Sequence, residues 1–196
     1  MVRFYSLFLK CVPWYKIIEL KIKDNSMINK LIFSTLFLAS TAVSASSISV
    51  DMKDVDSGKT LGSILIDQNE YGVVFTPNLS GLPQGLHGFH IHENNSCDTA
   101  KKNGKTVLGG AAGGHYDPMK TGQHGFPWSN NNHLGDLPPL YINMEGSGVQ
   151  PVLSPRIKLS DLSGRALMIH AGSDNHSDQP SALGGGGARL VCGVIQ

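Results

Sequence analysis

The sequence predicts an all-β fold, an antiparallel sandwich or barrel, on three observations. Short runs of apolar and polar residues alternate with period two. The 196-residue chain carries 23 glycines and 10 prolines, mostly in its second half, which favours turns and loops over long helices. No segment shows a convincing helical period. Hydrophobic residues make up 40% of the chain and charged residues 16%, a globular rather than a disordered composition.

The elements follow in order. Ser47 to Lys53 alternates without a break, with Ile48, Val50 and Met52 set against Ser49, Asp51 and Lys53, as expected of a half-buried strand. Leu61–Ile66 and Tyr71–Thr76 read as two more strands, separated by the turn Asp67 to Glu70. A turn-rich link, 78–85, leads to a strand over Leu86–His92. Leu140–Met144, Arg165–His170 and Arg189–Ile195 complete the set. Two segments break the rhythm: Glu93 to Pro139, 47 residues rich in His, Asp and Gly, and Ala171 to Ala188, which ends in four glycines. Loops beyond about 12–15 residues are uncommon in compact domains unless they are functional or disordered.

The N-terminus reads as a processed leader. Met27 to Lys30 is a short basic start, Leu31 to Leu38 is apolar apart from Ser34 and Thr35, and Ala42-Val-Ser-Ala45 offers small residues before a cut after Ala45. The alternative, an N-terminal membrane anchor, meets a run from Leu31 to Val43, well short of the about 20 residues needed to span a bilayer. Residues 1–26 lie upstream of this signal as a mis-assigned or extra extension, with 27–45 the signal peptide and 46–196 the functional domain. Loss of residues 1–45 leaves 10 basic and 13 acidic groups. That balance gives no indication of a nucleic-acid partner, and the expected mature chain has no stable membrane insertion. Cys97 and Cys192 then remain. In an exported chain they suggest one disulfide, with two free thiols as the alternative.

Eight histidines are many for this length, and six fall between Gly85 and Leu134. Within Leu86–His92, strand alternation puts His90 and His92 on one face, with Cα atoms roughly 6–7 Å apart, close enough to converge on one ion. Phe89 and Ile91 take the opposite face and enter the core, so the metal face lies outside the barrel wall and needs loops to cover it. Leu167 and Ile169 likewise point inward and His170 outward. His-x-His is also compatible with two polar residues on a wet face. A cupin would want a carboxylate a few residues on, whereas Glu93 follows His92 directly. His115, His124, His133 and Asp136 form a second cluster, whose three imidazoles and one carboxylate suit tetrahedral zinc in a closed, structural site; scattered polar loop residues are the alternative. His87 reads as a structural histidine bonded to backbone, and His176 as part of an exposed loop.

Gly85-Leu-His-Gly-Phe-His-Ile-His-Glu93 followed by Cys97 resembles the copper-strand signature of the copper,zinc superoxide dismutases. Gly113-Gly-His-Tyr-Asp-Pro118, Thr121-Gly-Gln-His124 and His133-Leu-Gly-Asp-Leu-Pro138 resemble the zinc loop of their bacterial, periplasmic-type branch, and Met168-Ile-His170, Asp174-Asn175 and 184–195 its C-terminal part. The resemblance covers residues 47–196. It implies a Greek-key, immunoglobulin-like barrel of about eight strands with a long metal-binding loop and a second active-site loop. It implies one copper per subunit on His90, His92, His115 and His170, and one zinc on His115, His124, His133 and Asp136, with His115 as the bridge. Asp174 would accept hydrogen bonds from His90 and His124, Arg189 would attract the anion, and Cys97–Cys192 would be the family disulfide. The implied activity is disproportionation of superoxide in the bacterial periplasm, by a monomer or a homodimer. Lys102 and Lys105 are further steering candidates, and Trp128 a candidate dimer contact. Phe126-Pro127-Trp128 and the N-terminal extension depart from the family pattern. A metal scavenger and a zinc-held structural sandwich are the rival readings.

Overall fold

The computed structural model describes residues 47–196; the leader and extension read from residues 1–45 lie outside the described residues. Eleven strands are present among them: β1 Ile48–Asp54, β2 Thr60–Asn69, β3 Gly72–Leu79, β4 Gly85–His87, β5 Phe89–His92, β6 Ala100–Lys102, β7 Lys105–Val107, β8 Leu140–Ile142, β9 Val152–Ser154, β10 Arg165–His170 and β11 Arg189–Ile195. Three short 3-10 turns accompany them, at Gly110–Ala112, Leu159–Asp161 and Ala182–Gly185. Seven strands form one antiparallel sheet in the order β5-β10-β11-β1-β2-β3-β9, and β4 pairs with β8. Together they make an antiparallel half-barrel. The chain runs β1-β2-β3 as neighbours, then crosses to β4 and to the far edge at β5, a Greek-key crossover.

Alternation decides which residues fill the barrel. Val50 and Met52 of β1, Ile64 and Ile66 of β2, and Val73 and Phe75 of β3 are all buried. They meet Phe89, Ile91, Leu167 and Ile169 in one core cluster, as the sequence pattern anticipates. Phe75 and Phe89 meet edge to face at 5.6 Å. Each such side chain contributes about 1.5–3 kcal/mol on burial.

Several boundaries differ from the sequence reading. The strand expected over Leu86–His92 is two, divided at Gly88, whose N–H bonds the Gly172 carbonyl just past the end of β10 and whose carbonyl accepts from the His170 N–H of β10. β4 therefore pairs with β8 while β5 pairs with β10. Counted as one bent strand, and with the small β6–β7 hairpin set aside, they give the eight strands expected. β2 and β3 run on to a two-residue turn in which Tyr71 N–H bonds Asn69 Oδ1 at 2.8 Å. β9 was not foreseen; it adds to the sheet beside β3.

The long loop is not without order. Its first part carries the β6–β7 hairpin, turning at Asn103 and Gly104, both with positive φ. Asn-Gly is the commonest two-residue hairpin signal and was available in the sequence. A disulfide joins Cys97 to Cys192 of β11, Cα to Cα 5.7 Å. Beneath it Ala112, Ala166, Met168 and Cys192 form a small second core on the outer face of β10 and β11. The later part of the loop lies along the free edge of β5. Ile91 N–H bonds Gly135, Tyr116 N–H bonds Ile91, and Glu93 N–H bonds Gly114. Gly135 is required there, since a Cβ would lie 2.3 Å from the Ile91 carbonyl oxygen.

Candidate metal centre

That edge pairing assembles the centre. The loop opposes His92 with His115 and His90 with Asp136 across β5. Cross-strand neighbours share a face, so all four point the same way, onto the outer side of the wall. β10 contributes His170 from its last position. The covering loops leave His90, His92, His115 and His170 all buried. The metal-facing side of the sheet is thus covered, as the sequence reading requires.

Ligand atoms converge in two overlapping groups. His90, His92, His115 and His170 offer ring nitrogens within 4.8 Å of one another, and so do His90, His115, His124 and Asp136. His133 falls outside the second group by that measure, yet its Nδ1 is 3.2 Å from Asp136 Oδ1. The same oxygen faces Nδ1 of His115 at 2.9 Å and of His124 at 3.0 Å. Asp136 Oδ2 is held by the Gly125 N–H at 3.0 Å and by Asn132 Nδ2 at 2.9 Å, which aims Oδ1 at the three rings. Nε2 of His92 and of His170 stand 3.4 Å apart, while their Nδ1 atoms face the carbonyls of Gly113 at 3.0 Å and Gly187 at 3.3 Å.

Asp174 connects the two groups. Its Oδ2 accepts from His90 Nε2–H and its Oδ1 from His124 Nε2–H, each at 2.8 Å. Gly184, at φ 69°, sits against it; a Cβ there would lie 1.9 Å from Oδ1 and 2.9 Å from His124 Nε2. Only glycine combines that conformation with that approach.

Charge follows the same division. Burial pushes the His90, His92 and His115 imidazoles below their ordinary value, and His170 down to about 4. These rings are neutral, as ligation requires. His124 is the reverse: burial lowers it, but hydrogen bonds to Asp136 and Asp174 outweigh burial and carry it up to about 9. Burial would raise Asp136 and Asp174, yet the imidazoles facing them hold both well below the usual carboxylate range.

Two ring nitrogens test the fit to metals. His90 Nδ1 and His115 Nε2 are buried and have no hydrogen-bond partner among the described residues. An unsatisfied buried polar atom costs about 1–3 kcal/mol, which a cation would offset. Four imidazoles suit copper, and three imidazoles with a carboxylate suit zinc.

A channel of about 490 Å³ reaches His92, His115 and His170 from outside. Arg189 lines it, with its guanidinium held by the carbonyls of Gly109 and Gly113. Lys101 and Lys102 line it too, whereas Lys105 does not. The sequence reading named Lys102 and Lys105 and missed Lys101. It also missed Asn132, and it placed His176 in an exposed loop. The His176 side chain is only 14% exposed, stacked 6.4 Å from His124 and covered by Phe126 at 5.2 Å. His87 bonds backbone as expected, its ring nitrogens facing the His170 and Pro83 carbonyls.

A half-barrel with two overlapping, buried, histidine-rich ligand groups on its outer wall defines the class: an all-β metalloprotein built for a redox metal beside a structural one. The copper/zinc superoxide dismutase family profile matches residues 60–195. The chain is 58% identical over 167 residues to a Cu-Zn superoxide dismutase of Photobacterium leiognathi, covering 85% of this chain and 96% of that one. It is 51% identical over 175 residues to that of Actinobacillus pleuropneumoniae, covering 88% and 84%. Among solved structures, the Cu/Zn superoxide dismutase from Brucella abortus superposes with a TM-score of 0.75 at 44% identity, over 77% of this chain and all of the other. The chain belongs to the copper/zinc superoxide dismutase family, and it is an enzyme that disproportionates superoxide to oxygen and hydrogen peroxide at copper and zinc sites.

Proposed function

We propose that His115 is the bridge between the metals, with His90, His92 and His170 completing the copper site and His124, His133 and Asp136 the zinc site. One observation carries the assignment. His90 and His115 both belong to the two convergent groups, but His90 has committed Nε2 to Asp174 and keeps only Nδ1. His115 directs Nδ1 toward the Asp136 oxygen and leaves a buried, unpartnered Nε2 for the other group. Copper, when bound, supplies one-electron redox chemistry, and zinc, which has none, supplies charge and position. His115 Nε2 is then the atom that holds and releases a proton for the product, while Nδ1 stays fixed on the zinc side. Asp174 fixes the rings of His90 and His124 and raises their basicity. Arg189 draws the anion in and orients it beside the copper nitrogens.

Metal analysis combined with pulse-radiolytic superoxide removal tests this reading. One copper and one zinc per chain with rapid removal are expected. His115→Ala should abolish the activity and, in protein carrying cobalt(II) in the zinc position, the magnetic coupling between that ion and copper, since zinc itself is d10 and silent. Copper bound at one per chain without activity would overturn the assignment in favour of scavenging.

We further propose export to the bacterial periplasm, with cleavage after Ala45 and 46–196 as the mature domain. Support comes from the 27–45 leader grammar and from the disulfide, which persists in oxidising compartments. Amino-terminal sequencing of the envelope fraction should begin at Ser46. Monomer and homodimer differ in whether Trp128, 64% exposed and stacked 5.0 Å from Phe126, is covered by a second copy; sedimentation with and without Trp128→Ser reads this directly.

A further inference from the structure

Leu183 occupies a position that neither the backbone nor the core accounts for. It lies in the 3-10 turn Ala182–Gly185 with φ 54° and ψ 46°, a left-handed conformation that is costly for an L side chain and free for glycine. Four glycines follow it directly, so the local sequence is not short of residues suited to the turn. Its backbone is pinned nonetheless. Leu183 N–H bonds Asp178 Oδ1 at 3.0 Å, and its carbonyl accepts from Gly186 N–H at 3.2 Å. Asp178 Oδ2 in turn accepts from the backbone N–H of His124 at 2.9 Å. The turn is therefore tied to the zinc-side loop and does not swing freely. The side chain is 41% exposed and belongs to neither hydrophobic cluster. It lines the channel to His92, His115 and His170, together with Arg189, Lys101 and Lys102.

Those three cations attract any anion, so charge alone cannot separate superoxide from larger anions such as phosphate. Selectivity requires an element that disfavours the competitor. An apolar wall does so, because it offers no hydrogen bond to a strongly hydrated anion that must shed water to pass. The same low-dielectric surface concentrates the field of the facing cations on a small anion. We propose that Leu183 is a specificity-determining residue, the apolar jaw of the anion channel, admitting a small, weakly hydrated anion and excluding larger, strongly hydrated ones. This rests on the assignment of the copper group above.

The test uses the copper- and zinc-loaded wild type with Leu183→Gly, which relieves the turn and removes the wall, and Leu183→Asn. Asparagine tolerates the left-handed conformation and keeps comparable bulk while losing apolarity. Azide and inorganic phosphate are titrated and followed by the visible absorption of copper, and melting is recorded for each protein. Phosphate affinity relative to azide is expected to rise about tenfold in both variants, the low end of what an apolar contact discriminates, with no loss of melting temperature. A phosphate-to-azide ratio within about twofold of wild type, against the expected discrimination, would overturn the proposal while leaving the copper site standing. A wild type whose copper spectrum responds to neither anion would overturn the copper assignment and this inference with it.

Discussion

Asp174→Asn isolates the group that ties the two metals together. In the native centre its two oxygens each accept a 2.8 Å bond, from His90 and from His124, with all the side chains fully buried. An asparagine of the same shape has one oxygen. One ring keeps a neutral acceptor, and the other faces an NH₂ group that cannot accept. Hydrogen bonds to a charged group stabilise by about 1.5–3 kcal/mol and neutral ones by about 0.5–1.5. The ring that keeps its acceptor therefore loses about 1 kcal/mol, roughly fivefold in affinity. The ring that loses it forfeits about 2 kcal/mol, roughly thirtyfold, within the range seen for partners of metal ligands. Competition titration of each metal against a chromophoric chelator, on protein loaded with the other, reads the two losses separately. Both affinities should fall, and unequally. If both stayed within twofold of wild type, the linkage through Asp174 would be refuted. A loss confined to zinc would refute its role toward His90.

Arg189→Ala should lower the superoxide rate and flatten its dependence on ionic strength, whereas Lys101→Ala with Lys102→Ala should cost rate mainly at low salt and Lys105→Ala little; stopped-flow or pulse-radiolysis rates across a salt series decide. Removing the disulfide as Cys97→Ala with Cys192→Ala opens a loop of sequence separation 95, worth about 4.7 kcal/mol in the chain-entropy model. For a domain of this size that corresponds to about 9–19 °C in the calorimetric melting temperature. The metal-free protein should be most stable near pH 6.5. His170, lowered to about 4 with His90 and His92 lowered too, loses stability as pH falls from the unfolded value of 6.5, since the unfolded chain binds the proton first. His124, raised to about 9, loses stability as pH rises from 6.5 through that value. Melting of the metal-free protein against pH should show the fall on both sides. Calorimetry in buffers of different ionisation heat should show about one proton released on zinc binding at neutral pH.

The copper strand was legible because period two is a local rule. Once Ile91 and Phe89 are taken by the core, His90 and His92 have one face left, and the structure buries them there. The bend at Gly88 was not legible. It depends on Gly172 and His170, more than 80 residues on, which claim its N–H and carbonyl. The hairpin at Asn103-Gly104 was readable and overlooked, but even its register, which pairs Lys102 with Lys105, does not say that Lys101 rather than Lys105 lines the channel, because that depends on how the hairpin packs. His176 looked exposed because nothing local announces that Phe126 lies over it.

By itself the sequence determined the all-β class, the inward and outward faces of each strand, and the chemical inventory of two metal sites. These depend on alternation and on residue type, both local. The tertiary structure alone decided that one loop would zip along the free edge of β5, setting His115 beside His92 and Asp136 beside His90. It also decided that Asp174 would reach both groups, and that Leu183 rather than a glycine would face the channel. Those arrangements are made by backbone hydrogen bonds and close approaches between segments far apart in the chain, and no local pattern encodes which distant partner satisfies which group.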